Sequence, residues 1–162
     1  MTIFVKIHQK STKITTIMKK IMPIIAAAAI VFSASYGCAR DKVITVKEMP
    51  QAAQNFLEKY FSEVNVIIVV KDGNEYEVRF GNGWEAEFNR EGEWKSIDCK
   101  NSPIPQEFAG SLPAKINSYI SANFPDCAIT EISKDRRKYE VELNDQLDLE
   151  FSLDGEFLRL DD

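Results

Sequence analysis

The chain has 162 residues, with 20 Lys and Arg against 25 Asp and Glu and a formal net charge of −5. Residues 1–39 hold five of the lysines and no acidic residue, so the remainder carries 15 basic against 25 acidic residues, a net charge of −10. So acidic a remainder is repelled by nucleic acid and by anionic membrane surfaces, which excludes nucleic-acid partners and favours a basic protein or peptide.

Residues 1–39 have the pattern of a secretory signal peptide. Lys19 and Lys20 precede an apolar run from Ile21 to Phe32, and small residues follow it. The run is shorter than the roughly 20 residues of a membrane-spanning helix. The segment before Met18 is not needed for such a signal, so Met18 is an alternative start. We expect an exported, periplasmic or outer-membrane-anchored protein.

Two cleavage sites stay open at the end of this leader. The stretch SYGC, ending at Cys38, partly matches the lipobox at which lipoproteins are cleaved and lipidated. The overlapping stretch GCA offers small residues for ordinary cleavage and a free secreted protein. The only membrane contact that we expect is therefore a lipid anchor at Cys38.

The rest of the chain contains an ungapped internal repeat. Residues 49–99 align with residues 112–162 at a constant offset of 63, with 12 of 51 positions identical. The clearest match pairs EYEVRFGNGWEAEF at 75–88 with KYEVELNDQLDLEF at 138–151. A match of this length predicts two copies of one structural unit.

Each copy predicts one helix followed by four strands. Pro50 suits the first turn of a helix, and Ala53, Leu57 and Phe61 recur at helical spacing after it. Strands are predicted at 66–70, 76–80, 84–88 and 94–98, with a glycine-containing turn between the second and third.

The second copy repeats this order. Pro113 opens its helix and Pro125 ends it, and strands are predicted at 128–133, 138–143, 147–152 and 157–161. The fold class is therefore α+β, made of two tandem α-β-β-β-β repeats at 43–99 and 112–162. Residues 100–111, rich in Pro, Ser and Gly, are predicted to link them. Whether the two antiparallel sheets join into one stays open.

The chain combines a leader with two helix-plus-sheet units, and these units carry YEV strands, EF strand ends, E-G or D-G turns and a terminal aspartate pair. This combination resembles the bacterial PepSY-like family, also described as β-lactamase-inhibitor-like. The resemblance covers residues 43–162. It implies a non-catalytic envelope protein, related to regulators of peptidases and to an inhibitor that grips an enzyme with its sheet. Its motifs are structural, so it transfers no binding residue.

The residues after the leader lack most catalytic machinery. His8 is the chain's only histidine, which removes the usual general base and the commonest metal ligand from residues 40–162. Glu77 with Glu87, and Glu140 with Glu150, could face each other as glycosidase acids do. We interpret them instead as an exposed, charged strand face, and we expect neither enzymatic activity nor a cofactor.

The charged strand face is the main candidate for binding. We expect it to capture a protein or peptide through acidic side chains, namely Glu77, Glu87, Glu140, Glu142, Asp148 and Glu150. The alternative is an envelope cation or small-ligand binder that uses clustered carboxylates. Calcium could draw on Asp145, Asp148, Asp154, Asp161 and Asp162, although these residues lack the spacing of a calcium loop.

Two cysteines remain after the leader. Cys99 and Cys127 would enclose about 27 residues if they formed a disulfide, which an oxidising compartment outside the cytoplasm permits. The alternative is two buried thiols, since spacing alone does not report the distance between them.

Overall fold

The computed structural model describes residues 41–144 and 147–161, and the leader, Cys38 included, lies outside them. Within this range one antiparallel sheet runs through nine strands in chain order. The strands are β1 (Lys42–Ile44), β2 (Val66–Asp72), β3 (Glu75–Phe80), β4 (Glu85–Phe88), β5 (Trp94–Asp98), β6 (Ile129–Lys134), β7 (Lys138–Leu143), β8 (Leu147–Ser152) and β9 (Phe157–Asp161).

Three α-helices accompany the sheet. They are α1 (Gln51–Phe61), α2 (Gln106–Ala109) and α3 (Ala114–Asn123), and a short 3-10 turn at Val46–Glu48 precedes α1. Pro50 and Pro113 stand immediately before α1 and α3. Both proline starts agree with the sequence prediction, because proline at a helix start sacrifices no helical hydrogen bond.

The core lies on one face of the sheet. One residue of every strand stands opposite its neighbour in a continuous row across that face. We call it the core row, and it consists of Ile44, Val69, Val78, Ala86, Ile97, Ile132, Val141, Leu149 and Leu160. The helices cover this face. In α1 the ring of Phe61 stacks on Phe80 of β3, and in α3 the ring of Tyr119 stacks on Phe157 of β9.

The two sheets predicted from the repeat are joined into one. Strands β5 and β6 pair through Ser96 with Ser133, Ile97 with Ile132 and Asp98 with Glu131. The order helix then four strands occurs once as α1 with β2–β5 and again as α3 with β6–β9. Because the junction is an ordinary antiparallel ladder, residues of the two halves become direct neighbours on both faces.

The predicted linker at 100–111 contains structure that the sequence analysis missed. Helix α2 lies within it, and its Phe108 is fully buried. The ring of Phe108 packs edge-on against Phe56, Tyr60 and Trp94. This segment is therefore part of the core, and it packs against side chains of α1 and β5.

Candidate functional site

The face of the sheet opposite the helices carries the candidate site. On this open face five acidic residues stand directly opposite one another on five adjacent strands, β5 to β9. We call them the carboxylate row, and they are Asp98, Glu131, Glu142, Asp148 and Asp161. Neighbouring strands are about 4.8 Å apart, so the row spans roughly 19 Å. Like charges directly opposite each other destabilise a sheet, so this arrangement works against folding.

Burial and mutual repulsion perturb the middle of the row. Burial, followed by the charges of Asp98 and Glu142, raises the pKa of Glu131 to about 7. Burial and the charges of Asp148 and Asp98 raise the pKa of Glu142, and burial and the charge of Asp161 raise that of Asp148. The row therefore holds its full negative charge at a free-energy cost, which a bound cation would reduce.

Within the described residues, ion pairs form at the two ends of the row, while the more distant charge of Lys100 acts more weakly than burial on the pKa values of Glu131 and Glu142. Lys100 Nζ lies 2.5 Å from Asp98 Oδ2 at one end, and Arg159 Nη2 lies 3.6 Å from Asp161 Oδ1 at the other. Among the described residues, no Lys or Arg forms an ion pair with Glu131, Glu142 or Asp148. The centre of the row is thus available to an external cation.

The surface is hollowed over this uncompensated centre. A depression of about 180 Å³ is lined by four residues of the row together with their neighbours on β6, β7 and β8. Its polar lining consists of Glu131, Ser133, Glu140, Glu142, Asp148, Glu150 and Asp161. The alternation of side chains along each strand aims all of these groups at the same side of the sheet.

A second row on the open face has its charges paired. Glu150 is only 5% exposed and accepts hydrogen bonds from Lys138 Nζ at 2.5 Å and from Arg159 Nε at 2.8 Å and Nη2 at 2.7 Å. These contacts lower the pKa of Glu150 to about 2. Lys138 Nζ also lies 2.6 Å from Glu140 Oε1. Glu150 and Glu140 therefore have internal cationic partners, unlike the centre of the carboxylate row.

The open face of the first half is also largely compensated. Arg79 Nε donates to Glu77 Oε1 at 2.5 Å and lies 3.7 Å from Glu85 Oε1, and Lys95 Nζ donates to Glu75 at 2.6 Å. Glu87 stands opposite Glu77, and burial raises its pKa. Arg79 and Lys95 thus place positive charge among the acidic side chains of this half.

The structure divides the residues that the sequence analysis selected. It places Glu140, Glu142, Asp148 and Glu150 around the same hollow, while Glu77 and Glu87 lie on β3 and β4, outside it. The facing pairs Glu77–Glu87 and Glu140–Glu150 are present as the alternation predicted.

Two residues of the carboxylate row, Glu131 and Asp98, were not among the binding residues predicted from the sequence. Glu131 alternates with buried Ile132, so its outward direction could have been inferred. Its neighbour Asp98 could not, because that contact depends on the pairing of β5 with β6. Asp161 was considered only for calcium.

The structure bears on the calcium and disulfide alternatives that the sequence left open. Within residues 41–144 and 147–161, no group of three or more His, Cys, Asp or Glu side chains is arranged to hold a metal ion. Asp145 and Asp162 lie outside the described residues. Cys99 is a buried free thiol, so of the two alternatives left open by the sequence the structure does not contain the bridge to Cys127. Burial, with the charge of Asp98, raises the pKa of the Cys99 thiol to about 12.

Comparison with known families places the chain. The family described as "Putative beta-lactamase-inhibitor-like, PepSY-like" matches residues 36–85 and 74–159. The chain belongs to this PepSY-like family. The resemblance inferred from the repeat motifs is thereby confirmed.

Solved structures of Bacteroides proteins are similar to this PepSY-like chain. A Bacteroides thetaiotaomicron protein described as a "putative calcium-regulated periplasmic protein" is 35% identical, with a TM-score of 0.71, over 75% of this chain and 97% of that one. Two Bacteroides vulgatus proteins, both described as "putative" periplasmic proteins, are 30% and 34% identical. They have TM-scores of 0.71 and 0.70, cover 78% and 76% of this chain and match over their full lengths.

No match is found among curated proteins. No helix in the described part of the PepSY-like chain is long and apolar enough to cross a membrane.

Proposed function

We propose that this PepSY-like protein is a non-catalytic module of the cell envelope that binds a basic protein or peptide segment on the open face of its sheet. The observation that carries the proposal is the carboxylate row, with five opposed acidic residues whose central three have no cationic partner among the described residues. An extended cationic ligand would relieve the repulsion within the row along its whole length.

The shape of the row favours an extended ligand over a single ion. Its carboxylates follow a line of roughly 19 Å across the strands, and consecutive basic side chains of a peptide could reach several of them at once. A basic partner would also be drawn to this surface over a distance, since complementary charge speeds encounter. The family description, which likens these proteins to an inhibitor of an enzyme, supports a protein as the source of that segment.

The envelope location rests on two observations. The similar Bacteroides proteins are described as periplasmic, and the leader at 1–39 has the pattern of an export signal. Lipidation at Cys38 would hold the module at a membrane, whereas cleavage without lipidation would release it into the periplasm.

The two halves of the module are, in this proposal, tandem repeats of one α-β-β-β-β unit. Equivalent strand pairs carry irregularities 63 residues apart, at Glu87/Phe88 in β4 and at Glu150/Phe151 in β8. Equivalent turns also approach the equivalent helix starts, with Gly92 next to Pro50 and Gly155 next to Pro113. These correspondences support duplication of a binding scaffold whose second copy acquired the charged hollow.

A second candidate function is the binding of calcium. It is favoured by the description of the Bacteroides thetaiotaomicron relative as calcium-regulated. Calcium takes carboxylate oxygens as ligands, and Glu131, Glu142 and Asp148 supply them from adjacent strands. Binding would require these side chains to converge further than they do in the structure.

Calorimetric titration tests both candidates. The protein is titrated with a short oligolysine peptide and, separately, with calcium, at low and high ionic strength. We expect saturable binding of the peptide that weakens with salt, because the attraction is between exposed charges. Removal of three charges in Glu131→Gln/Glu142→Gln/Asp148→Asn should abolish it.

The first half supplies the matched control. Glu75→Gln/Glu77→Gln/Glu85→Gln removes the same number of charges from the open face but leaves the hollow intact, and it should retain binding. Equal losses in both triple variants would mean that only net charge matters and would overturn the proposed site. Saturable heat with calcium but none with the peptide would select the second candidate. The absence of saturable heat with either ligand would reject both candidate functions.

A further inference from the structure

Strand β9 is an edge of the sheet within the described residues, and it exposes apolar side chains. Leu158 and Leu160 are 52% and 47% exposed. Leu160 is the last member of the core row, whose other members are all at most 9% exposed. Ile97, which occupies the corresponding place on β5, is fully buried, and β5 has β6 paired to its other side. Strand β9 lacks this cover.

The free hydrogen-bonding groups of β9 can be assigned. Ser152 N–H donates to Glu156 O at 2.8 Å, so every second residue of β8 from Ser152 directs its backbone groups towards β9. These residues include Glu150 and Asp148, which stand opposite Arg159 and Asp161. The backbone N–H and C=O groups of Arg159 and Asp161 therefore point towards β8 and pair with it. Leu160, which lies between them, directs its own N–H and C=O outward.

We propose that β9 pairs antiparallel with β9 of a second copy of this chain, with Leu160 opposite Leu160 of the second copy. Two hydrogen bonds then join these two residues, because each offers one outward N–H and one outward C=O. The two leucines also continue the core row from one copy into the other. The contact is the same patch on both copies, as a two-fold dimer requires.

Charge complementarity selects this register. With Leu160 at the centre, Arg159 of each copy stands opposite Asp161 of the other, which gives two symmetric ion pairs on the open face. A register centred on Arg159 would instead place two arginines opposite each other, which is unfavourable. Each Arg159 would also remain beside Glu150 of its own chain, to which it already donates.

The opposite edge of the sheet is less suited to self-pairing. Strand β1 has only three residues and carries Lys42, and short, lysine-bearing edges resist strand addition. Strand β9 has five residues and no lysine. We therefore assign the self-association to β9 alone.

Sedimentation velocity over a concentration series tests the proposal. The full chain is expressed with its own leader, and the processed product that the host yields is used. We expect a concentration-dependent dimer. Leu160→Lys should weaken it by roughly tenfold or more, because it opposes two like charges at the centre of the contact. The matched control is Val43→Lys, which makes the same kind of change at an exposed valine of β1 and should leave the dimer unchanged.

A cross-link tests the register. Cα atoms of a hydrogen-bonded antiparallel pair lie about 5.5 Å apart, within reach of a disulfide. Leu160→Cys should form a disulfide-linked dimer under mild oxidation, whereas Val43→Cys and the unmodified chain should not. A monomer at up to about 1 mM, a dimer unaffected by Leu160→Lys, or a dimer lost in Val43→Lys would each overturn the proposal.

Discussion

The two halves of the open face use equivalent strand ladders to build different electrostatic environments. The second half differs from the first at positions 63 residues apart, where Glu131 replaces Ile68 and Glu142 replaces Arg79. These two differences remove one cation and add two carboxylates. The two pairs stand in equivalent strand ladders, so two side chains account for much of the greater negative charge on the open face of the second half.

A third equivalent pair of positions holds the same residue in both halves but differs in its neighbouring charges. Glu87 and Glu150 occupy corresponding places, yet burial raises the pKa of Glu87, while Arg159 and Lys138 lower that of Glu150 to about 2. The positions that correspond to these two cations in the first half hold Ser96 and Glu75. The difference shows that neighbouring strands, not the strand that bears the carboxylate, decide the state of that group.

The largest effects should come from the part of the scaffold that both halves share. A Cβ on Gly92 or Gly155 would lie 2.8 Å from the Cβ of Pro50 or Pro113, and both glycines have positive φ. We expect Gly92→Ala and Gly155→Ala each to lower the free energy of unfolding by about 2–4 kcal/mol, through backbone strain and overpacking. Urea denaturation measures this loss.

Gly83 separates the two contributions to that loss. It has a φ of 87°, but nothing lies within 4 Å of its added Cβ. Gly83→Ala should therefore show the backbone strain alone, about 1–2 kcal/mol. If Gly155→Ala costs no more than Gly83→Ala, the contact between the added Cβ and Pro113 does not contribute to the loss of stability.

The Glu87 and Glu150 pair should respond to neutralisation with opposite signs. Glu150→Gln removes the negative charge and one of the two acceptor oxygens that hold Lys138 and Arg159, and we expect the melting temperature of this variant at pH 7 to fall by several degrees. Glu87→Gln removes a charge that partial desolvation and neighbouring carboxylates disfavour, and because this side chain is exposed we expect only a small rise. Thermal unfolding followed by circular dichroism measures both.

The pH dependence of Glu150 has a defined direction. Its pKa in the folded protein, about 2, lies below the ordinary value of 4.5, so its stabilisation is present above about pH 4.5 and is lost as the pH falls towards 2. The difference between the unmodified protein and Glu150→Gln should shrink over that interval. A difference that stays constant down to pH 2 would contradict the role of its ionised form.

Glu131 should show the opposite dependence. Its pKa is raised to about 7, so its contribution favours folding while it is protonated and weakens as the pH rises from about 4.5 through 7. Glu131→Gln should leave stability near pH 4 almost unchanged and raise the melting temperature above pH 7 by a few degrees. Glu77→Gln, at a carboxylate paired with Arg79, is the control and should give no such gain. A gain confined to low pH would refute this prediction.

The smallest effect should come from making the first half resemble the second. Arg79→Ala removes the cation shared by Glu77 and Glu85. The Arg79 side chain is 39% exposed. Exposed ion pairs contribute little, so we expect a loss of less than about 1 kcal/mol. The oligolysine titration should show unchanged binding in this variant, because the proposed ligand lies on the second half of the open face. Tighter binding would mean that the ligand also depends on charges of the first half.

Much of the architecture follows from local sequence. Strands β5, β7, β8 and β9 have the bounds predicted from the sequence. Helices α1 and α3 begin directly after Pro50 and Pro113, the two prolines predicted to open them. Segments of this kind can be predicted because side-chain direction repeats every two residues in a strand and about every 3.6 in a helix. The same alternation correctly assigned the glutamates of β3, β4, β7 and β8 to one face.

The linker illustrates the limit of that reasoning. The stretch 100–111 has the proline, serine and glycine content of a loop, yet four of its residues form α2 and bury Phe108. Nothing periodic marks so short a helix. Its position is decided by the aromatic rings of Phe56, Tyr60 and Trp94, which come from distant parts of the chain.

By itself the sequence determined the order of the elements, the acidic outward face and the absence of histidine after residue 8, because these depend on residue identity and local periodicity alone. Only the tertiary structure decided that the two sheets are one and that Asp98 therefore stands beside Glu131. It also decided which carboxylates keep a cationic partner. Both outcomes depend on register between strands far apart in the chain, which no local pattern encodes.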